Sequence, residues 1–208
     1  MKRKPTRVLV TGFEPFAGSR VNPSAEVASR LAGTAIPGVD LAIEVLPVVG
    51  VTAGKLLLAA LGRIRPDAVV LLGEHGDSPA IQLERLAVNL RDYRIADNAG
   101  RVVTDRPVVR GGPDAIFATL PLRKMLASVV AAGVPCSLSN SAGTFLCNEV
   151  MYVALHQLGT ASKRRPVPCG FIHVPSLPEQ AVGSPRPRPS MDAATTTRGI
   201  AAAIACLA

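Results

Sequence analysis

AVVLLG, residues 68–73, decides the fold class, because it runs for six residues without a charge and without alternation. A strand with one wet face alternates polar and apolar side chains. A continuous Val/Leu run fits a strand covered on both sides, as in a parallel sheet whose crossover helices pack on each face. RVLVTG (7–12), LAIEVLPVV (41–49), CSLSNS (136–141) and CGFIHV (169–174) read as strands by the same features. Helical spacing fills the intervals. PSAEVASRLAG (23–33) opens on a proline and closes on Gly33, both natural helix ends. Residues 51–64, 113–132, 148–158 and 191–207 are the remaining predicted helices. This alternation predicts a three-layer α/β/α sandwich with a mostly parallel twisted sheet, spanning 1–208 as a single domain. The stretch from Ile81 to Arg110 breaks the rhythm. Its alternation and the turn sequence DNAG (97–100) predict extended segments or an additional hairpin, placed to carry site residues above the sheet. GSPRPRPS (183–190) is too rich in proline for regular structure.

The chain has 208 residues, 48% hydrophobic and 18% charged, an ordinary globular balance. No apolar run is long enough to cross a bilayer, and Val8–Val10 are too few for a signal-peptide core, so a cytoplasmic protein without membrane association is expected. The formal charge of +8 invites a nucleic-acid reading, but aromatic residues make up only 3% and the basic residues are scattered. KRK (2–4), KRR (163–165) and RPRP (186–189) read as a tail and loops, and the charge as solvated surface, with no nucleic acid as partner. Cys136, Cys147, Cys169 and Cys206 follow neither CxxC nor a zinc spacing and read as reduced thiols.

Ligands of open α/β sheets bind beyond the carboxyl ends of the strands. Cys147 follows one such strand in SNSAGTFLCNEVMY (139–152), where a polar stretch passes into a helical one. Unpaired N–H groups and the positive helix end would favour its thiolate and hold a developing oxyanion. A small buried core residue is the alternative. His173 ends the strand CGFIHV and, paired with Cys147, would serve as base and then acid. A carboxylate is wanted to orient it; Glu84, Glu74 and Asp77 all qualify. EHGD (74–77) lacks a third well-spaced ligand group and reads as a pocket loop with no metal. GFEPFAG (12–18) follows the first strand but lacks GxGxxG and the Walker lysine. Phe13 and Phe16 there would pack as a lid or wall a small flat ligand.

Four stretches, TGFEPFAG with VNPS (11–18, 21–24), LERLAVNLRDYRIADNAG (83–100), SNSAGTFLCNEVMY (139–152) and GFIHVPSLPEQ (170–180), together resemble pyroglutamyl peptidase I, a cysteine peptidase family. They occur in family order across nearly the whole chain. The resemblance implies removal of an N-terminal pyroglutamyl residue from peptides through a thioester, with no cofactor. It assigns Cys147 as nucleophile, His173 as base and Glu84 as its partner, a choice among carboxylates that spacing leaves open. It places Phe13 and Phe16 beside the pyrrolidone ring, Asn22 near the lactam, Arg94 near the reaction centre, and Ile95, Phe145 and Leu146 in the pocket. Glu74 stands where relatives often carry a neutral residue, which implies a weaker grip on the lactam. The resemblance also implies a homo-oligomer, dimer or tetramer. The layered fold equally suits a nucleoside-phosphorylase-like enzyme, for which no phosphate site is found, or a catalytically silent binder of pyroglutamyl-capped peptides.

Overall fold

The computed structural model of the chain describes residues 4–161, 166–182 and 184–208. The basic cluster at 163–165, Lys2, Arg3 and Gly183 lie outside the described residues. Strand β1 (Thr6–Phe13) leads into helix α1 (Pro23–Ala32), followed by β2 (Val39–Leu46), α2 (Thr52–Ile64) and β3 (Ala68–Glu74). Then come β4 (Ile81–Glu84), β5 (Leu86–Val88), β6 (Ala115–Phe117) and α3 (Leu122–Ala131). The chain finishes with β7 (Cys136–Ser139), α4 (Leu146–Ala161), β8 (Cys169–Val174), α5 (Pro178–Val182) and α6 (Ala193–Ala205).

The central sheet has the order β2-β1-β3-β8-β4-β7. Its first four strands are mutually parallel, whereas β4 runs antiparallel to β8 and parallel to β7. The six residues AVVLLG are all buried, as a strand in the middle of such a sheet must be. Alternate side chains feed two cores. Val8, Val10, Val70, Leu72 and Ile172 meet α1, α3 and α6 on one face. Leu9, Val69, Leu71 and Phe171 meet α2 and α4 on the other. The three layers expected from the sequence are therefore present. Among the described residues no helix is long and apolar enough to cross a membrane.

One expectation needs correction. Residues 113–132 are not one helix. Pro121 lacks an N–H and restricts the residue before it, so the helix starts only at Leu122, and residues 115–117 form strand β6 instead. The stretch from Ile81 to Arg110 does hold extended segments. Its first segment, β4, joins the central sheet, and β5 pairs antiparallel with β6, whose residues lie beyond Arg110. The DNAG turn does form, with the Gly100 N–H donating to the Asp97 carbonyl at 2.9 Å. It sits in the long excursion between β5 and β6, which an isolated antiparallel bridge between Arg91 and Arg106 narrows.

The β1–α1 connection shows how local chemistry fixes a strand end. Asn22 caps α1, its Oδ1 accepting from the Ser24 N–H at 3.0 Å and the Ser24 hydroxyl at 2.7 Å. Its Nδ2 donates to the Glu14 carbonyl at 2.9 Å, and Ser24 Oγ accepts the Phe13 N–H at 2.9 Å. The helix start thus lies against Gly12, where a Cβ would stand 2.6 Å from the Ser24 carbonyl oxygen. Backbone cannot yield as a side chain does. Gly12→Ala should therefore lower the stability by about 1–3 kcal/mol, read as a lower urea midpoint at unchanged slope.

Candidate active site

A cavity of about 610 Å³ opens near the carboxyl ends of β1 and β3 and the start of α4. Phe13, Phe16, Asn22, Glu74, Arg94, Ile95, Phe145, Leu146 and Cys147 all line it, so nine of the residues singled out in the sequence come together. Val48, the loop His75–Gly76–Asp77, Ala17 and Arg188 complete the wall. Phe13 and Leu146 are almost fully buried, whereas Arg94, His75 and Asp77 are exposed.

His173 and Glu84 are not among the residues that line this cavity. Glu84 is wholly buried and His173 is 6% exposed. Their side chains meet at 2.7 Å between Nδ1 and Oε1. The pairing follows from strand direction. β4 runs antiparallel to β8 with Gln82 opposite His173 and Leu83 opposite Ile172, so the side chains of Glu84, Gln82 and His173 share one face. Glu74 is engaged elsewhere, accepting from Ser176 Oγ at 2.6 Å and from Gln180 Nε2 at 3.2 Å. Of the three carboxylates the sequence offered, Glu84 is the one hydrogen-bonded to His173.

Gly73 brings the sulfur to the same place. It pairs with His173 across β3 and β8, and a Cβ on Gly73 would stand 2.9 Å from Cys147 Sγ and 2.6 Å from the Phe171 ring. Only a residue without a side chain lets α4 set its cysteine against the sheet beside the imidazole. The Phe171 ring then packs on His173 with centroids 4.8 Å apart, and His75, held by Gln82 at 2.6 Å, flanks it at 5.6 Å.

The electrostatics differ from the expectation for a helix start. Burial pushes the Cys147 thiol up from 9.0 to about 12, and the carboxylates of Glu84 and Glu74 add to the rise. Its own backbone N–H pulls the other way but does not win. The helix-terminus argument named one real effect and omitted two larger ones, desolvation and neighbouring negative charge. Both favour the protonated thiol over the thiolate.

Two supports went unnoticed in the sequence. Asn148, next to the cysteine and wholly buried, accepts from the Val88 N–H at 2.8 Å and donates to the Val88 and Leu90 carbonyls, each at 2.9 Å. It ties the start of α4 to the segment that follows Glu84. Glu149 accepts the Val51 N–H at 2.7 Å and the Tyr93 hydroxyl. Tyr93 in turn meets Phe145 edge-on at 4.7 Å, and Phe145 packs on Phe16 at 5.3 Å. The aromatic wall thus stands on a buried carboxylate. Two polar residues directly after Cys147, inside an otherwise apolar helix, were the available signal.

A raised thiol pKa makes the thiolate the minor form near pH 7. The rate of Cys147 alkylation by iodoacetamide, followed by mass spectrometry of its peptide, should accordingly climb about tenfold per pH unit from 7 to 9. A plateau already reached below pH 7 would contradict the neutral thiol. Asn148→Ala removes three hydrogen bonds and leaves buried backbone groups unpaired, so a stability loss of about 2–4 kcal/mol is expected in urea titration.

Comparison with known proteins concerns the chain as a whole. The family described as pyroglutamyl peptidase matches residues 6–208. A pyrrolidone-carboxylate peptidase of Gloeobacter violaceus is 53% identical over 194 residues, 93% of each chain. That of Erwinia tasmaniensis is 44% identical over 198 residues, 95% of this chain and 91% of its own. Pyroglutamyl peptidase I from Bacillus amyloliquefaciens superposes with a TM-score of 0.89 at 33% identity, covering 95% of this chain and 94% of its own. A mutant pyrrolidone carboxyl peptidase from Pyrococcus furiosus gives 0.90 at 42% identity, covering 95% and 96%. With a profile match across almost the full length and relatives this similar over most of the chain, the protein belongs to the pyroglutamyl peptidase family.

Proposed function

We propose that this chain is a cysteine peptidase that removes an N-terminal pyroglutamyl residue from peptides, with Cys147 as nucleophile, His173 as general base and then acid, and Glu84 as the group that orients the imidazole. The observation that carries the reading is the 2.7 Å contact between His173 and a fully buried Glu84 near an aromatic-lined cavity that also receives Cys147.

Because the protonated thiol is favoured, attack and proton transfer go together. The sulfur adds to the carbonyl carbon linking pyroglutamate to the next residue while His173 takes the thiol proton at its free ring nitrogen. Glu84 stabilises the imidazolium through Nδ1. Backbone N–H groups in the first turn of α4, with Arg94 at the cavity wall, hold the oxyanion. As the C–N bond breaks, His173 gives its proton to the departing amine. A thioester remains, and water that passes a proton to His173 adds to it and releases pyroglutamate and the thiol.

The pocket suits an uncharged cap. Pyroglutamate is a neutral lactam with two apolar faces, and the Phe13, Phe16 and Phe145 rings offer it apolar walls. A charged amino terminus would lose its hydration against those rings, which selects against ordinary peptides. We read residues 1–208 as one catalytic domain working as a homo-oligomer in the cytoplasm. The four free cysteines fit a reducing compartment, and the exposed Val45, Leu56 and Phe117 fit contact with further copies.

Release of a chromophore from a pyroglutamyl amide, against the matching prolyl amide and in the presence of reductant, tests the reading. The wild-type chain should cleave the first and not the second. Cys147→Ala should abolish turnover, and Glu84→Gln should lower kcat by about 10²–10⁴-fold by loosening the imidazole. Tight binding of a capped peptide without turnover by the wild type would make the chain a silent binder instead.

A further inference from the structure

Arg188 lies in the proline-rich stretch beyond the last recognised motif, in chain without regular structure, yet it lines the same cavity as Cys147. Its guanidinium sits over the backbone of Gly76, where a Cβ would stand 3.2 Å from Nη1. Nη2 donates to the Gln180 carbonyl at 3.3 Å, and Nε is buried without a hydrogen-bond partner. No salt bridge joins it to the nearby carboxylate of Glu74. Glu74 takes neutral donors, Ser176 Oγ at 2.6 Å and Gln180 Nε2 at 3.2 and 3.3 Å to its two oxygens. Among the described residues Arg188 forms no ion pair. A cation so sparsely satisfied inside a ligand cavity is suited to an anionic oxygen from outside.

The position of that oxygen follows from depth. Phe13 and Leu146 are the buried part of the cavity lining, whereas His75 and Asp77 are exposed, and Arg188 is half-buried beside the exposed residues 185–187. A volume of about 610 Å³ is the size that takes a drug-sized ligand, more than one five-membered ring requires. An enzyme that removes a terminal cap takes the cap in first, so the residue after it passes the edge on the way out. We propose that Arg188 binds the main-chain carboxylate of the residue following pyroglutamate, which makes pyroglutamyl dipeptides a favoured substrate class. This rests on the pyroglutamyl-peptidase reading. Glu74 and Gln180 act as positioning residues, since Gln180 bridges Glu74 to Arg188 through its amide and its carbonyl.

The test compares kcat/KM for pyroglutamyl-alanine, pyroglutamyl-alanine amide and a pyroglutamyl aryl amide in the wild type, Arg188→Gln and Arg188→Lys. The loss in Arg188→Gln should be larger on the dipeptide than on the aryl amide by about 10- to 100-fold, carried by KM, with the alanine amide in between. Arg188→Lys should recover part of it, as a point charge without the planar fork. Parallel losses on all three substrates, or none on any, would overturn the proposal while leaving the peptidase reading intact. Failure of the wild type to cleave any of the three would remove both. Thermal melting of each variant separates a folding defect from a binding one.

Discussion

The site depends on one buried contact, the hydrogen bond between Glu84 and His173. Withdrawing a carboxylate from water costs several kcal/mol unless a partner compensates, and here only Oε1 has one while Oε2 has none. That arrangement survives because strand geometry leaves the two side chains no other place. β4 enters the sheet against the direction of β8, which sets Glu84 and His173 on the face that α4 covers. The sheet reversal that looks like an irregularity of an otherwise parallel fold is what delivers the carboxylate.

A second constraint is the closeness of α4 to the sheet. Gly73 gives the sulfur room, Asn148 fastens the first turn of the helix to the backbone after β5, and Glu149 reaches the loop before α2. The three act on one short piece of helix, so the Cys147 sulfur and the aromatic wall share one support. This also explains the thiol. Burial and two carboxylates in range disfavour a charge on the sulfur and raise its pKa.

Legibility in the sequence followed the range of the physics involved. Strand CGFIHV was read residue for residue and AVVLLG to within one residue at its end, because burial on both faces leaves a local apolar signature. Segment 113–132 was misread because its propensities suit a helix, while Pro121 and the distant partner β5 divide it. The stretch from Ile81 to Arg110 was legible as extended chain but its partners were not, since DNAG turns the chain while the strand that pairs with β5 lies beyond it. Asn148 and Glu149 went unread because a polar residue on a helix declares its function only once its partners are known.

By itself the sequence determined the layered class, the alternation of strands and helices, and the kinds of residue that could do the chemistry, since each is a property of neighbours along the chain. The family motifs added the choice of Glu84. Only the tertiary structure decided that Glu84 hydrogen-bonds His173, that Glu74 faces Ser176 and Gln180, that burial raises the thiol pKa, and that Arg188 joins the cavity from outside every motif. Those facts arise between residues dozens of positions apart, where strand direction and desolvation act and no local pattern records the outcome.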